Sequence, residues 1–414
     1  MPVDVTLIGG GMIVHDQILP SLYHLQRIGQ LGKIQIVDAT CKRMRDLVNP
    51  RFEEAFPGQN FIAHPDLSED PQKLQPDLFK KIVAAMPPRQ LVVNATPDHL
   101  HNPMVRFALE HDQHVLCVKP LVQRIADAMD IEKLARDKGL FVGVEYHKRF
   151  DRRVLEARGQ YRAGRFGQFR LGHALLMEPY LYRHSNFQNW FTKENADPFT
   201  YIGCHYVDQV YFITGHRPVE VCVRGVEGEF PNGNVGYLWS TGQVIFDNDG
   251  ILTVDNGLGY PDQGAGTNDQ GICLFCEGDG KGAIIKHNDQ FRGVSHGYID
   301  NTAGAYFRHI NPDYFRLVPW TGSGLRPVGY GYDSIEASVL AVNEIVAKTH
   351  GLSESAALAK RRNLLKAIDD QGIIATPANS FINELVTEAA RMSIASAGRP
   401  VAIDYGDRPS VRWR

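Results

Sequence analysis

Three groups of residues in this chain have types and positions that can do chemistry. The first is Lys119, which closes the apolar run His114–Val118 and is followed by Pro120. An apolar run of this length, stopped by a turn residue, reads as an inner strand of a parallel sheet. Ligands of open α/β sheets gather outside the carboxyl ends of the strands, so an ammonium fixed there can polarise a ligand oxygen. The second group is Gly9-Gly10-Gly11, directly after the β-rich run Val3–Ile8. The third is Tyr201, His205 and Asp208, which share one face of the helix predicted over 199–214 and stopped by Gly215. That face can form a substrate wall, and it can equally be a satisfied packing cluster.

The elements around these residues fix their meaning. After Gly9-Gly10-Gly11-Met12-Ile13-Val14 comes a helical stretch with Ile18, Leu19, Leu22 and Leu25 on one side, then a second strand, Ile34–Val37, ending on Asp38. Strand, glycine turn, helix, strand and terminal acid form the dinucleotide-binding fingerprint. The glycines let the backbone approach a pyrophosphate, which rests on amides at the helix N-terminus. Asp38 would accept hydrogen bonds from the adenosine ribose, favouring NAD over NADP because a 2′-phosphate would be repelled. Two features depart from the pattern. Val14 replaces the third glycine, and Asp38 lies farther on than the usual ~20 residues.

A third strand is predicted at 61–63, a crossover helix at 76–85, and a fourth strand, Leu91–Pro97, breaking at Thr96-Pro97. His99 and His101 follow, and Asn102-Pro103 start a helix running through Glu110 to the strand of Lys119. This alternation predicts a doubly wound parallel sheet with Lys119 on the same edge as the glycine turn. Helix 125–138 and strand 140–150 complete a dinucleotide domain over 1–148. Beyond it the strand candidates 219–224, 244–246, 272–275 and 283–286 run without intervening helices, apart from 199–214. That indicates a mostly antiparallel open sheet in an α+β domain over 149–414, with a late helix at about 377–397 packing back.

Composition sets the outer limits. A chain of 414 residues, 43% hydrophobic, exceeds what one core usually holds, so two domains are expected. The net charge of −3 gives no basic footprint for nucleic acid. No apolar run is long enough to cross a membrane, and the N-terminus lacks a secretory signal pattern. The six cysteines are scattered in apolar runs, which suits reduced thiols in the cytoplasm. Cys273 and Cys276 have metal-like spacing, but they lie on a strand with no second ligand pair, so no metal is expected.

Taken together, the chain resembles the glucose-fructose oxidoreductase / inositol dehydrogenase / rhizopine catabolism (Gfo/Idh/MocA) family of NAD(P)-dependent sugar oxidoreductases. The resemblance runs from Val3 to about Ile403. It rests on Gly9 to Ile13, Thr96-Pro97 with His101, Lys119-Pro120, Arg149-Phe150, Gly164 to Gly167, Gly203 with His205 and Asp208, and Gly398-Arg399-Pro400-Val401. It implies an N-terminal Rossmann domain and a C-terminal domain whose open sheet joins subunits as a homodimer or homotetramer. Cofactor contacts would come from Gly9, Gly11, Met12, Ile13, Asp38, Thr96, Pro97, His99, His101 and Lys119. The substrate would be a sugar, glycoside or cyclitol. The chain departs from the family at Val118, where glutamate usually precedes the Lys-Pro pair, and at Tyr201, where many members carry aspartate.

Oxidising a secondary alcohol needs a base for the hydroxyl proton, worth roughly 10²–10⁴-fold, and fixed positive charge near the developing alkoxide. In that scheme Lys119 polarises the hydroxyl, His205 is the base and Tyr201 is a hydrogen-bonding partner or relay. Tyr146, Arg149, His173 and Trp190 are candidates for binding the rest of the substrate. Two other functions fit the same residues: an NAD-dependent glycosidase acting by transient oxidation and elimination, and a non-catalytic NAD-binding regulator.

Overall fold

The computed structural model describes residues 2–263, 268–278, 280–288 and 314–414, together with the backbone of strands 295–300 and 304–309. The chain divides into two compact units. Residues 1–122, 126–150 and 315–379 form the first, and residues 123–125, 151–314 and 380–414 form the second.

The strands of the first unit's main sheet are β1 (Val5–Ile8), β2 (Ile34–Val37), β3 (Ile62–His64), β4 (Leu91–Asn94), β5 (His114–Val118) and β6 (Val142–Glu145). They lie in the order β3-β2-β1-β4-β5-β6, and every pair is parallel. Strands β1, β4 and β6 are buried along their whole length, as expected where helices cover both faces of a parallel sheet. This order joins two mononucleotide-binding halves at β1 and β4. The helix read at 125–138 is present as Ile125–Lys138.

The second unit carries β7 (Gln168–Pro179), β8 (Pro218–Glu229), β9 (Val235–Phe246), β10 (Ile251–Tyr260), β11 (Asp269–Gly278) and β12 (Lys281–Asn288). A separate ribbon pairs β13 (Ser295–Asp300) with β14 (Gly304–His309), and β15 (Arg316–Pro319) pairs with β16 (Leu325–Val328) as a hairpin of the first unit. Near the C-terminus, β17 (Val401–Asp404) and β18 (Ser410–Trp413) extend the large sheet to eight strands, in the order β12-β11-β7-β10-β9-β8-β17-β18. It is mostly antiparallel, with β7 and β10 as a parallel pair. Helix Ile382–Ala395, within the span read as 377–397, lies against β8 and β17. The opposite face leaves Leu171, Phe275 and Ile284 exposed.

The sequence pattern assigns all of 149–414 to one domain, whereas the first unit continues to Phe150 and also takes in residues 315–379. The reason is packing. Ile335, Val339, Val342 and Ile345 of helix Tyr330–Thr349 are buried in one cluster with Leu22 and Leu25 of helix Leu19–Arg27. The β15–β16 hairpin is pinned by Arg27, whose guanidinium lies 5.0 Å from the Phe56 ring centre and 4.6 Å from that of Trp320. Arg27 also donates to the carbonyls of Ala55 (3.3 Å), Ser323 (3.0 Å) and Leu325. Hydrogen bonds from a charged donor and cation–π contacts together suggest that Arg27→Met should cost about 2–3 kcal/mol. Urea unfolding measures the loss, and limited proteolysis should then cut first between β15 and β16.

Candidate functional site

In the first unit, the polar groups collect where the parallel strands end. β1 runs into Gly9, whose φ is +103°, and a Cβ there would stand 2.5 Å from the Ala95 carbonyl oxygen beyond β4. Only glycine allows both that backbone angle and that approach. The Gly10 N–H donates to Asp38 Oδ2 (2.8 Å), and Thr40 N–H donates to the other carboxylate oxygen (3.3 Å), so the acid at the end of β2 holds the turn after β1. Among the described residues, its own chain neighbours aside, nothing lies within 4 Å of the position a Cβ would take on Gly11. The turn is thus open on its outer side, which fits a pyrophosphate resting on backbone amides. Met12 is exposed and Ile13 half-buried beside it. Val14, in the third glycine's place, is buried and begins a π-helical turn, Val14–Ile18, before the α-helix.

Beyond β4, the Thr96 hydroxyl donates to Asn94 Oδ1 (2.9 Å), and Pro97 leads into the turn Asp98–Leu100 with His99 exposed. His101 is fully buried, with its ring nitrogens 2.8 Å from the carbonyls of Pro120 and Thr96. It belongs to the scaffold under the edge, so the cofactor contact read for it has no ring nitrogen to spare. Lys119 is half-buried and follows β5 directly. Tyr146 and Arg149, read as substrate groups, are 2% exposed. Arg149 donates to Asn379 (3.0 Å) within the same unit.

Glu145 was not singled out from the sequence. It ends β6 and is the register partner of Val118, so the level of the sheet that lacks a carboxylate on β5 has one on β6. Its buried carboxylate accepts hydrogen bonds from Gln17 (2.9 Å), Ser334 (2.5 Å) and His147 Nδ1 (2.7 Å). The His147 ring stacks on Tyr330 at 5.5 Å. The available signal was an acid closing an apolar strand, Val142-Gly143-Val144-Glu145, the same pattern that marked Asp38.

In the second unit, the helix read as continuous over 199–214 consists of a π-turn, Phe199–Gly203, and an α-helix, Cys204–Thr214. A Cβ on Gly203 would stand 2.5 Å from Asn256 Oδ1, so the glycine lets this turn lie on β10. His205 and Asp208 are buried, and Asp208 accepts from Asn383 (2.8 Å). The Tyr201 ring sits edge-on to Phe187 (5.2 Å), Trp190 (5.5 Å) and Phe191 (5.8 Å). Trp190 is therefore a wall of this aromatic cluster, buried to 9% exposure. His173 is exposed on β7 and points away from the face on which Ala174 and Leu176 are buried, so it stands apart from His205. Asp197, also missed, is buried beside the π-turn, where burial raises its pKa. It accepts from the Thr200 N–H (2.9 Å) and hydroxyl (2.8 Å).

A parallel sheet in this strand order, with a glycine turn after the first strand and an acid closing the next, defines a dinucleotide-binding α/β protein. Residues 3–146 match the model of the oxidoreductase family with an NAD-binding Rossmann fold. Inositol 2-dehydrogenase 1 from Saccharopolyspora erythraea is 31% identical over 135 residues, which are 32% of this chain and 37% of that one. The matched stretches span between 21% and 41% of the length of the curated relatives. Two solved structures share the fold over nearly the whole chain. Myo-inositol 2-dehydrogenase from Lactobacillus plantarum has a TM-score of 0.62 and 13% identity, covering 98% of this chain and 100% of that one. Scyllo-inositol dehydrogenase from Lactobacillus casei, with bound NAD(H) and scyllo-inositol, has a TM-score of 0.60 and 13% identity, covering 96% and 97%. Over residues 3–146 the chain is thus similar to the NAD-binding Rossmann domain of the Gfo/Idh/MocA oxidoreductases. Among the described residues, no helix is long and apolar enough to cross a membrane.

Two substitutions test the first unit's edge. Gly9→Ala should introduce about 1–3 kcal/mol of strain, lowering the melting temperature and weakening dinucleotide binding about tenfold or more. Wild-type affinity in calorimetric titration with NADH would contradict the close approach to Ala95. Glu145→Gln points an amide N–H at one of three donors and should cost about 1–3 kcal/mol in urea unfolding.

Proposed function

We propose that the protein is an NAD-dependent dehydrogenase of a secondary hydroxyl in a cyclitol, sugar or glycoside. The observation that carries this reading is the shared edge of one parallel sheet, which holds the Gly9 turn, Asp38 and Lys119. NAD is favoured over NADP because a carboxylate closes β2, where a 2′-phosphate would meet its charge. The inositol-bound fold neighbour and the inositol dehydrogenase relative support a polyhydroxylated ring as substrate.

In this reading Gly9, Gly11, Met12, Ile13 and Asp38 hold the dinucleotide, which when bound accepts hydride from carbon. The Lys119 ammonium polarises the substrate hydroxyl and stabilises negative charge as it develops on that oxygen. His205 receives the hydroxyl proton, with Tyr201 as hydrogen-bonding partner. Tyrosine is a poor base at neutral pH because its ordinary pKa is about 10. The first unit serves as the dinucleotide domain. The second contributes the substrate wall and, through the exposed apolar face of its large sheet, a surface for a homo-oligomer of a cytoplasmic enzyme.

The test is a panel of inositols, sugars and glycosides offered with NAD or NADP, followed by nicotinamide absorbance and by release of any aglycone. Reduced nicotinamide should accumulate with NAD and a cyclitol or sugar. Aglycone release without it would replace this reading with redox-neutral glycoside cleavage. Lys119→Ala should lower kcat by about 10²–10⁴-fold while NADH still binds. His205→Asn should remove the acidic limb of the pH–rate profile, and an unshifted limb would take His205 out of the base role.

A further inference from the structure

His101 opens helix His101–Glu110 with no exposed surface, and both its ring nitrogens face carbonyl oxygens. Nδ1 lies 2.8 Å from the Pro120 oxygen, and Nε2 lies 2.8 Å from the Thr96 oxygen. A carbonyl oxygen only accepts. A neutral imidazole would therefore set a ring lone pair against an oxygen lone pair on one side or the other. Two acceptors at this distance call for two N–H donors. We propose that His101 is held as a doubly protonated imidazolium and is a positioning residue, clamping the turn of Thr96-Pro97 to the turn of Lys119-Pro120.

The surroundings supply what a buried cation needs. Asp98, on the turn before the helix, is buried and lies close enough to act on the ring. From β5, Cys117 faces the ring, and its sulfur also takes the Asn94 amide at 3.6 Å. Burial by itself lowers the imidazole pKa. The Cys117 sulfur, the Asp98 carboxylate and the Thr96 carbonyl more than offset it, so the net direction is upward.

The consequence is mechanical. The two turns carry Thr96 and Lys119, and they are joined by a ring of fixed length whose hold requires its second proton. A misplacement of about 1 Å in a positioned group can cost about 10²-fold in rate, so losing the clamp should act through Lys119 without His101 touching any ligand. The pH dependence has a definite sign. Because the folded-state pKa lies above the unfolded value of about 6.5, the stabilisation is complete below that value. It is lost as pH rises through the folded-state pKa.

The experiment uses the full-length protein with ¹⁵N-labelled histidine. Ring nitrogen shifts, assigned with the His101→Gln variant, are followed from about pH 6 to about pH 9 while solvent-facing histidines titrate near their ordinary value. The expected result is one histidine with both nitrogens protonated at and above neutral pH. A single protonated nitrogen on His101 at neutral pH would overturn the proposal. This readout is independent of substrate identity, and it holds in the wild type if the glutamine variant folds poorly. Where that variant folds, its melting-temperature deficit against wild type should shrink as pH rises, and its NADH affinity should fall about tenfold. A deficit unchanged with pH would likewise sink the clamp.

Discussion

A parallel sheet covered on both faces leaves its strands almost no place for a polar side chain except their ends. That constraint organises the first unit. β1, β4 and β6 are buried throughout, so Asp38, Thr96, Lys119 and Glu145 occur where strands stop, at one shared edge. Buried charge is tolerated there only when partnered. Asp38 holds the Gly10 amide, and Glu145 takes three donors. The dinucleotide turn is accordingly part of a hydrogen-bonded rim rather than an isolated loop.

The second unit solves a different problem, since its sheet is buried on one face only. Alternation along β7 leaves His173 exposed between buried neighbours. Gly203 lets the π-turn before helix Cys204–Thr214 lie on Asn256 of β10. The spacing of Tyr201, His205 and Asp208 reads as one helical face, whereas Tyr201 lies on the π-turn and the other two on the α-helix, and their settings differ. Tyr201 sits among aromatic rings, while Asp208 holds Asn383.

Much of this could be read directly from the sequence where the signal is local. Strand, glycine turn, helix and acid are contiguous, and the helix at Ile125–Lys138 shows its own period. What escaped reading is non-local. The Arg27–Ser323 hydrogen bond joins residues 296 positions apart, and nothing near either residue announces it. Glu145 gains meaning only from the β5–β6 register that sets it beside Val118. Period-two patterning shows that His173 and Ala174 face opposite ways, but it does not reveal which of them meets the helices. Val14 stands where the pattern has its third glycine, and no local signal announces the π-turn that the backbone forms there.

The Glu145 carboxylate ties together three stretches of chain: the helix start at Gln17, the end of β6, and Ser334 from beyond residue 315. Anyone moving the dinucleotide-binding module into another protein would therefore have to transplant a discontinuous piece. Residues 3–146 carry the family match. Cut out alone, however, they would leave that carboxylate short of two donors, His147 and Ser334, Arg27 short of its hairpin, and the cluster around Leu22 and Leu25 open to water. The boundary by which the family is recognised in sequence is thus not the boundary at which this unit can be separated.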